Sequence, residues 1–279
     1  MEARHYGAVM LDVGNFRVPP DTAVTLSQHD PDAKTGFEGG KEEGKAALPA
    51  LKRQLAELQT RLWADSSQSL LVVIQAIDTG GKDGTIRHVF SGINPQGVHV
   101  RGFRAPSETE LAHDYLWRVH QQTPEDGAIT IFNRSHYEDV LVVRVKNLVP
   151  EEVWSKRFHH IREFERMLSD EGTRVVKLFL NISKEEQRDR LQKRLEKPDK
   201  HWKFNKDDLK DRALWDDYQK AFSETLSMTS TNYAPWYVVP ANRKWYRNLV
   251  VSRILIETLE DMDPRYPEPQ EGLEGLVIE

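Results

Sequence analysis

The chain has 279 residues, enough for one large α/β domain or two small ones, and its 38% hydrophobic and 30% charged residues suit a soluble globular protein with its own core. It contains no cysteine, which excludes disulfides and thiolate metal sites. A formal net charge of -5 argues against a protein built to coat nucleic acid, so any polyanion must be met by local concentrations of Lys and Arg. Met1 to Asn15 mix acidic and basic groups without a long apolar core, and no stretch approaches the ~18 apolar residues of a membrane helix. The expected compartment is the cytoplasm, with neither nucleic acid nor membrane as partner.

Residues 1–45 read as an irregular arm, with turn signals at Val18-Pro19-Pro20, Asp30-Pro31-Asp32 and Gly39-Gly40. A helix is expected from near Ala46, where Leu48, Leu51, Leu55, Leu58 and Leu62 recur at steps of three and four and so share a face. That face either packs on its own domain or forms a dimer seam; two heptads are too few for a coiled coil. After Ser69 the pattern turns to strands at 70–74, 98–103, 128–132, 175–180 and 236–239. The first is a continuous apolar run, as expected of a strand buried on both faces. Helices are expected at 107–121, 136–149, 151–169, 183–196, 206–228 and 243–262. Strands separated by helices of this length imply crossovers, hence a parallel sheet covered on both sides. The domain so outlined runs from 46 to 262 and includes a lid at about 184–212, and the proline-rich tail 263–279 is expected to be loosely held.

The stretch that carries chemistry is Gln75-Ala76-Ile77-Asp78-Thr79-Gly80-Gly81-Lys82-Asp83-Gly84-Thr85, between the first strand and a helix that begins Ile86-Arg87-His88. Glycines there let the backbone curl so that successive N–H groups face phosphate oxygens. The helix N-terminus adds partial positive charge, and Lys82 adds a full one. This is a Walker A arrangement in its proper context, but an irregular one. Ala76 stands where Gly is usual, and Asp83 stands where the metal-binding hydroxyl is usual. Asp78 inside the loop is a replacement ligand for Mg²⁺, which prefers carboxylate and phosphate oxygens. The plainer reading, a glycine-rich turn with a chance lysine, is weakened by the strand before it and the helix after it.

The third strand ends in Phe132-Asn133-Arg134-Ser135-His136-Tyr137-Glu138-Asp139, where a carboxylate normally approaches the loop metal. Here Asn133 holds that position, Glu138 and Asp139 follow a turn later, and Arg134 is placed to clamp a phosphoryl group. The same residues also read as an ordinary helix start with Ser135 as its cap. Farther on, Arg190 and Arg194 lie four apart and so share a helical face, and Lys197 to Lys203 carries three lysines around Asp199 and Trp202. By analogy with P-loop kinases this is a lid that excludes water and supplies Lys200, Lys203 and arginine side chains; the alternative is a solvated helix laced with acid–base pairs.

Four segments, Asp78–Thr85, Phe132–Ser135, Pro198–Lys203 and Ala234–Ala241, together resemble the polyphosphate kinase 2 family, in the right order and spacing from about Asp30 to Glu260. The resemblance implies a thymidylate-kinase-like three-layer α/β/α fold, a Mg²⁺ requirement and a dimeric or tetrameric assembly. It also implies transfer of a terminal phosphoryl group between inorganic polyphosphate and an adenine nucleotide. Asp78 is then similar to the family's metal-holding carboxylate, Lys82 to its phosphate lysine and Arg134 to its arginine. Thr79, Gly80, Gly81, Asp83, Gly84, Thr85 and Arg87 would line the phosphate, joined by Asn133, Glu138, Arg190, Arg194, Lys200 and Lys203. Most of the family carries Asp at the position of Asn133; the Asn133–Glu138 pair resembles the class III branch, which accepts both AMP and ADP. Two other readings remain open at this point: a nucleoside monophosphate kinase with ATP as donor, and a nucleotide-gated interaction protein without catalysis.

Overall fold

A computed structural model of the chain describes residues 11–273, 276 and 278; the first ten residues of the expected arm and part of the expected tail lie outside these. Five strands form one sheet in the order β2-β3-β1-β4-β5, all parallel, as the alternation of strands and helices implies. They are β1 (Ser69–Gln75), β2 (Val98–Gly102), β3 (Ile129–Asn133), β4 (Thr173–Asn181) and β5 (Trp236–Pro240). Every residue of β1 is buried, because it is the central strand with a helical layer on each face.

One layer holds α1 (Lys41–Asp65), α2 (Lys82–Val89) and α10 (Lys244–Met262). The other holds α5 (Glu138–Val145), α6 (Glu151–Asp170) and α9 (Trp215–Thr229). The leucine face of α1 packs on α10 within the same chain, with Leu55 and Leu62 fully enclosed. Each such leucine stabilises the fold by about 1.5–3 kcal/mol. Close approach of these two helices depends on Gly44, where a side chain would run into the ring of Trp245. Among the described residues no helix is long and apolar enough to cross a membrane.

Four expected helices differ in extent. The first begins at Lys41 rather than near Ala46, and Glu43 reaches back to the Gly40 N–H to cap it. The segment 107–121 is two single turns, α3 (Glu108–Leu111) and α4 (Trp117–His120). Asp114 breaks it by accepting from the N–H groups of Leu116 and Trp117 at 3.0 and 3.1 Å, a local bond that competes with the helix. The helix expected over 136–149 is α5, which starts only at Glu138 and ends just before Asn147 at φ +50°. The segment 206–228 splits at Leu214 into α8 (Asp207–Ala213) and α9. The buried Asp208 and Asp211 of α8 pair with Arg194 and Lys146, which ties that turn to neighbouring elements rather than into line with α9.

Candidate active site

The loop between β1 and α2 has the backbone of an anion cradle. Gly81, at φ +107°, is the N-cap of α2, and Thr79 sits at φ +63°, an uncommon place for a β-branched residue. At Gly80 a Cβ would strike the Ala76 methyl and come within 2.8 Å of the Ile77 carbonyl, so the alanine at the irregular position fills the space beside this glycine. The loop's carbonyls are tied by side chains. Arg190 Nη1 donates to Thr79 O at 3.0 Å and to Gly80 O at 2.9 Å, and its Nη2 donates to Ala241 O at 2.6 Å. Gln187 donates to Asp78 O at 3.1 Å and Arg247 to Gly81 O at 3.3 Å. These bonds fix the backbone of the loop in one conformation.

Lys82 is buried and donates to Ala76 O at 2.8 Å. Burial, with the Arg134 charge nearby, lowers its pKa against the opposing pull of Asp78, Glu138 and Asp83. Arg134 follows β3 directly at φ +63°, with its N–H on Ile74 O at 3.2 Å. That turn swings the guanidinium over the loop, where Nη2 meets Asp78 Oδ1 at 2.5 Å. Glu138, at the start of α5, titrates above its usual value because burial outweighs the attraction of Arg134 and Lys82. Asn133 donates to Asp83 Oδ1 at 2.9 Å, and Lys203 reaches Asp83 Oδ2 at 3.5 Å. Burial opposes charge on Asp83, yet these two partners hold its carboxyl below the ordinary value.

A buried network anchors the turn from 133 to 138. Glu165 accepts from Tyr137 Oη at 2.7 Å and Lys177 Nζ at 2.6 Å, and its Oε1 is 3.2 Å from His136 Nε2. Lys177 also donates to Thr229 O at 2.6 Å. Burial works against charge on Glu165, and Lys177 and His136 outweigh it. Nearer the loop, Gln75 donates to Ser135 Oγ at 3.1 Å. The Ser135 hydroxyl also accepts from the Tyr137 N–H, a local turn bond and not the helix cap of the sequence reading, since α5 starts only at Glu138 and its N-cap, Tyr137, makes no side-chain cap bond.

Beside the loop opens a cavity of about 640 Å³. Its lining joins Asp78, Arg134 and Glu138 to the apolar side chains of Phe103, Leu141 and Val149, a mixture that suits a nucleotide. Arg104 lines it too, exposed just past the end of β2 and free of ion pairs among the described residues. Sequence reading missed Arg104; the available signal was its place at the carboxyl end of a parallel strand, where open α/β sheets bind ligands. Arg157 and Arg118 flank Asp139 in the same wall, the first donating to Oδ1 at 3.2 Å.

The expected lid comprises α7 (Lys184–Leu195), a 3-10 turn over Pro198–Lys203, and α8. Arg190 and Arg194 do not act together as the shared face implied. Arg190 turns to the loop carbonyls, whereas Arg194 meets Asp208 and the Lys203 carbonyl, both at 3.2 Å. The side chains of Lys200 and Arg87 are exposed and bond to none of the described residues, and the Thr85 hydroxyl donates to Gly81 O at 3.1 Å. Kinases that transfer phosphoryl groups generally work with a divalent metal. No group of three His, Asp or Glu among the described residues is spaced to hold one. Asp78 beside the phosphate cradle nonetheless fits a hard cation that takes one carboxylate and completes its shell with substrate phosphates and water.

The family model described as Polyphosphate kinase 2 matches residues 38–267. AMP/ADP-polyphosphate phosphotransferase of Meiothermus ruber is 60% identical, over 95% of this chain and 99% of its own. ADP-polyphosphate phosphotransferase of Rhodopseudomonas palustris is 44% identical over 91% of each. The crystal structure of polyphosphate kinase 2 from Arthrobacter aurescens TC1 superposes with a TM-score of 0.90 at 42% identity, covering 93% of this chain and 92% of that one. Because the match spans the loop, the arginine turn, the lid and the last strand, this chain belongs to the polyphosphate kinase 2 family.

Proposed function

We propose that the chain is a Mg²⁺-dependent phosphotransferase that moves the terminal phosphoryl group of inorganic polyphosphate to AMP and to ADP, reversibly, giving ADP and ATP. The observation that carries this reading is the Asp78–Arg134 pair, set between the Lys82 loop and a nucleotide-sized cavity. It is supported by the relatives' names, one of them an AMP/ADP-polyphosphate phosphotransferase.

An oxygen of the acceptor's terminal phosphate, already ionised at neutral pH, attacks the terminal phosphorus of the donor. The new P–O bond forms as the bridging P–O bond breaks, and its electron pair stays on the shortened polyphosphate. No general base is needed. The protein supplies alignment and charge neutralisation. Lys82 exchanges the Ala76 carbonyl for a phosphate oxygen, and Arg134 exchanges Asp78 for the transferring group. Asp78, so released, is the residue that would hold Mg²⁺, whose charge offsets that of the phosphates when it is bound. Thr79 to Thr85 cradle the donor's end, while Lys200 and Lys203 approach from the lid. A cytoplasmic location, where the nucleotide substrates are found, and a homodimer or homotetramer, checked by light scattering, belong to the same reading.

The test is purified protein, free of adenylate kinase, with AMP, Mg²⁺ and excess polyphosphate, followed by chromatography. ADP should appear first and then ATP. Product that stops at ADP removes the second transfer, and no product at all removes polyphosphate as donor.

A further inference from the structure

Two Walker positions depart from the usual residue in this chain, and the fold makes them neighbours. Position 83, where a hydroxyl is usual, holds a carboxylate, and position 133, where a strand-end carboxylate is usual, holds an amide. Asn133 Nδ2 donates to Asp83 Oδ1 at 2.9 Å, although 50 residues separate them in sequence. A carboxylate at both positions would set like charges in contact, and one would have to swing away or take up a proton. The amide instead holds the carboxylate in place, and Asp83 Oδ2 accepts from Lys203 Nζ at 3.5 Å.

Lys203 closes the 3-10 turn Pro198–Lys203, none of whose residues is buried. The helices on either side of that turn are anchored to the body of the protein. Arg190 of α7 holds loop carbonyls, and Asp211 of α8 meets Lys146 of α5 at 2.7 Å. The turn has local bonds of its own: Arg194 donates to Lys203 O at 3.2 Å, and His201 Nε2 lies 2.8 Å from Leu195 O. Among the described residues, Lys203–Asp83 is the one hydrogen bond or ion pair that joins the turn to anything beyond residues 192–208. The dipole of α2 alone favours an acid in its first turn. It does not explain an amide aimed at that acid from the end of β3, or a lysine that reaches it from 120 residues away.

We propose that Asp83 is a positioning residue: held by Asn133, it catches Lys203 and keeps the 198–203 turn closed over the phosphate loop. This role rests on the loop being the phosphate site of the proposed reaction. The Lys203 ammonium has three protons, of which the catch uses one and leaves two for phosphate oxygens. Asp83 therefore presents the lid cation to the substrate instead of withholding it. The charges of Lys203 and Lys82 both act on Asp83 and offset its repulsion of phosphate.

The test reads hydrogen exchange of segment 198–206 in the free full-length protein by mass spectrometry, beside steady-state kinetics with ADP and polyphosphate. Asp83→Asn and Lys203→Gln should each speed that exchange roughly fivefold, the size of one partly exposed ion pair. The double variant should exchange no faster than either single one. Asn133→Asp, which sets a second carboxylate against the catch, should also speed it. Thermal unfolding should hold in all of them, because none of the three side chains is buried. Asp83→Asn should raise KM for polyphosphate in the wild-type background but not in Lys203→Gln. A carboxylate that only sat near phosphate would act the other way, since its removal relieves repulsion and lowers KM. Unchanged exchange in Asp83→Asn, additive effects in the double variant, or a fall in KM would overturn the catch. Exchange in the free protein needs no substrate and so is separate from the donor assignment, which wild-type protein unable to use polyphosphate would overturn.

Discussion

Arg134 Nη2 and Asp78 Oδ1 lie 2.5 Å apart beside the loop between β1 and α2, and both side chains line the adjoining cavity. The pair is partly open to solvent, at 41% and 20% exposure, so its contribution to stability is about 0–1 kcal/mol. Its significance is functional. In the proposed reaction, each charge would keep the other in place until phosphate takes the guanidinium and frees the carboxylate.

Metal dependence separates the acids around the loop. Asp78→Asn should raise the Mg²⁺ concentration needed for half-maximal activity more than Asn133→Ala does, because Asn133 offers no charge and is engaged with Asp83. Titrating activity against Mg²⁺ checks the order. The reverse order would move the metal toward Glu138.

Lys82→Ala should reduce turnover by about 10²-fold or more, the size expected when a charge contact of the transition state is lost. Thermal unfolding should change little. The lysine's main partner in the free protein is one carbonyl, and its burial already disfavours its charge. Activity within about threefold of wild type in an equally stable protein would remove Lys82 from the chemistry.

Gly80→Ala should destabilise the fold by about 1–3 kcal/mol, since the new methyl has no room against Ala76 and the Ile77 carbonyl. Ala76→Gly in the same chain should recover part of this, with a coupling of about 0.5–3 kcal/mol in urea unfolding. Simple additivity would show that the contact with Ala76 is not what constrains the loop.

The pH dependence of Glu138 follows from its raised pKa, which burial causes. The folded chain holds this proton more tightly than the unfolded chain, whose value is 4.5. Wild-type stability therefore falls as pH climbs from about 4.5 through the folded value. Glu138→Gln lacks this loss, so the stability difference, variant minus wild type, should increase across that window and level off above it. A difference that is flat with pH, measured by urea unfolding at several pH values, would mean that Glu138 is not strained by burial.

The sheet and the loop were legible in the sequence because each rests on local chemistry. Leu70 to Ile74 is apolar at every position, which only a strand covered on both faces tolerates, and the glycines before Lys82 mark a turn that few other residues adopt. The broken helices were not legible. At Asp114 and Leu214 the helical periodicity continues, and what breaks it is a side chain bonding to nearby backbone in one case and buried ion pairs to other elements in the other.

By itself, the sequence determined the order of strands and helices, the positions of Asp78, Lys82 and Arg134, and the four motifs behind the family resemblance. Only the tertiary structure decided what each lid cation does. Arg190 and Arg194 are equivalent on a helical wheel, yet one meets the Gly80 carbonyl, 110 residues away, and the other meets Asp208. Helical spacing specifies which side chains share a face, whereas their partners are fixed by how β4 and β5 bring distant segments to the end of β1. Charge type and spacing are local properties; the counter-charge and carbonyl that each cation meets are properties of the packed chain.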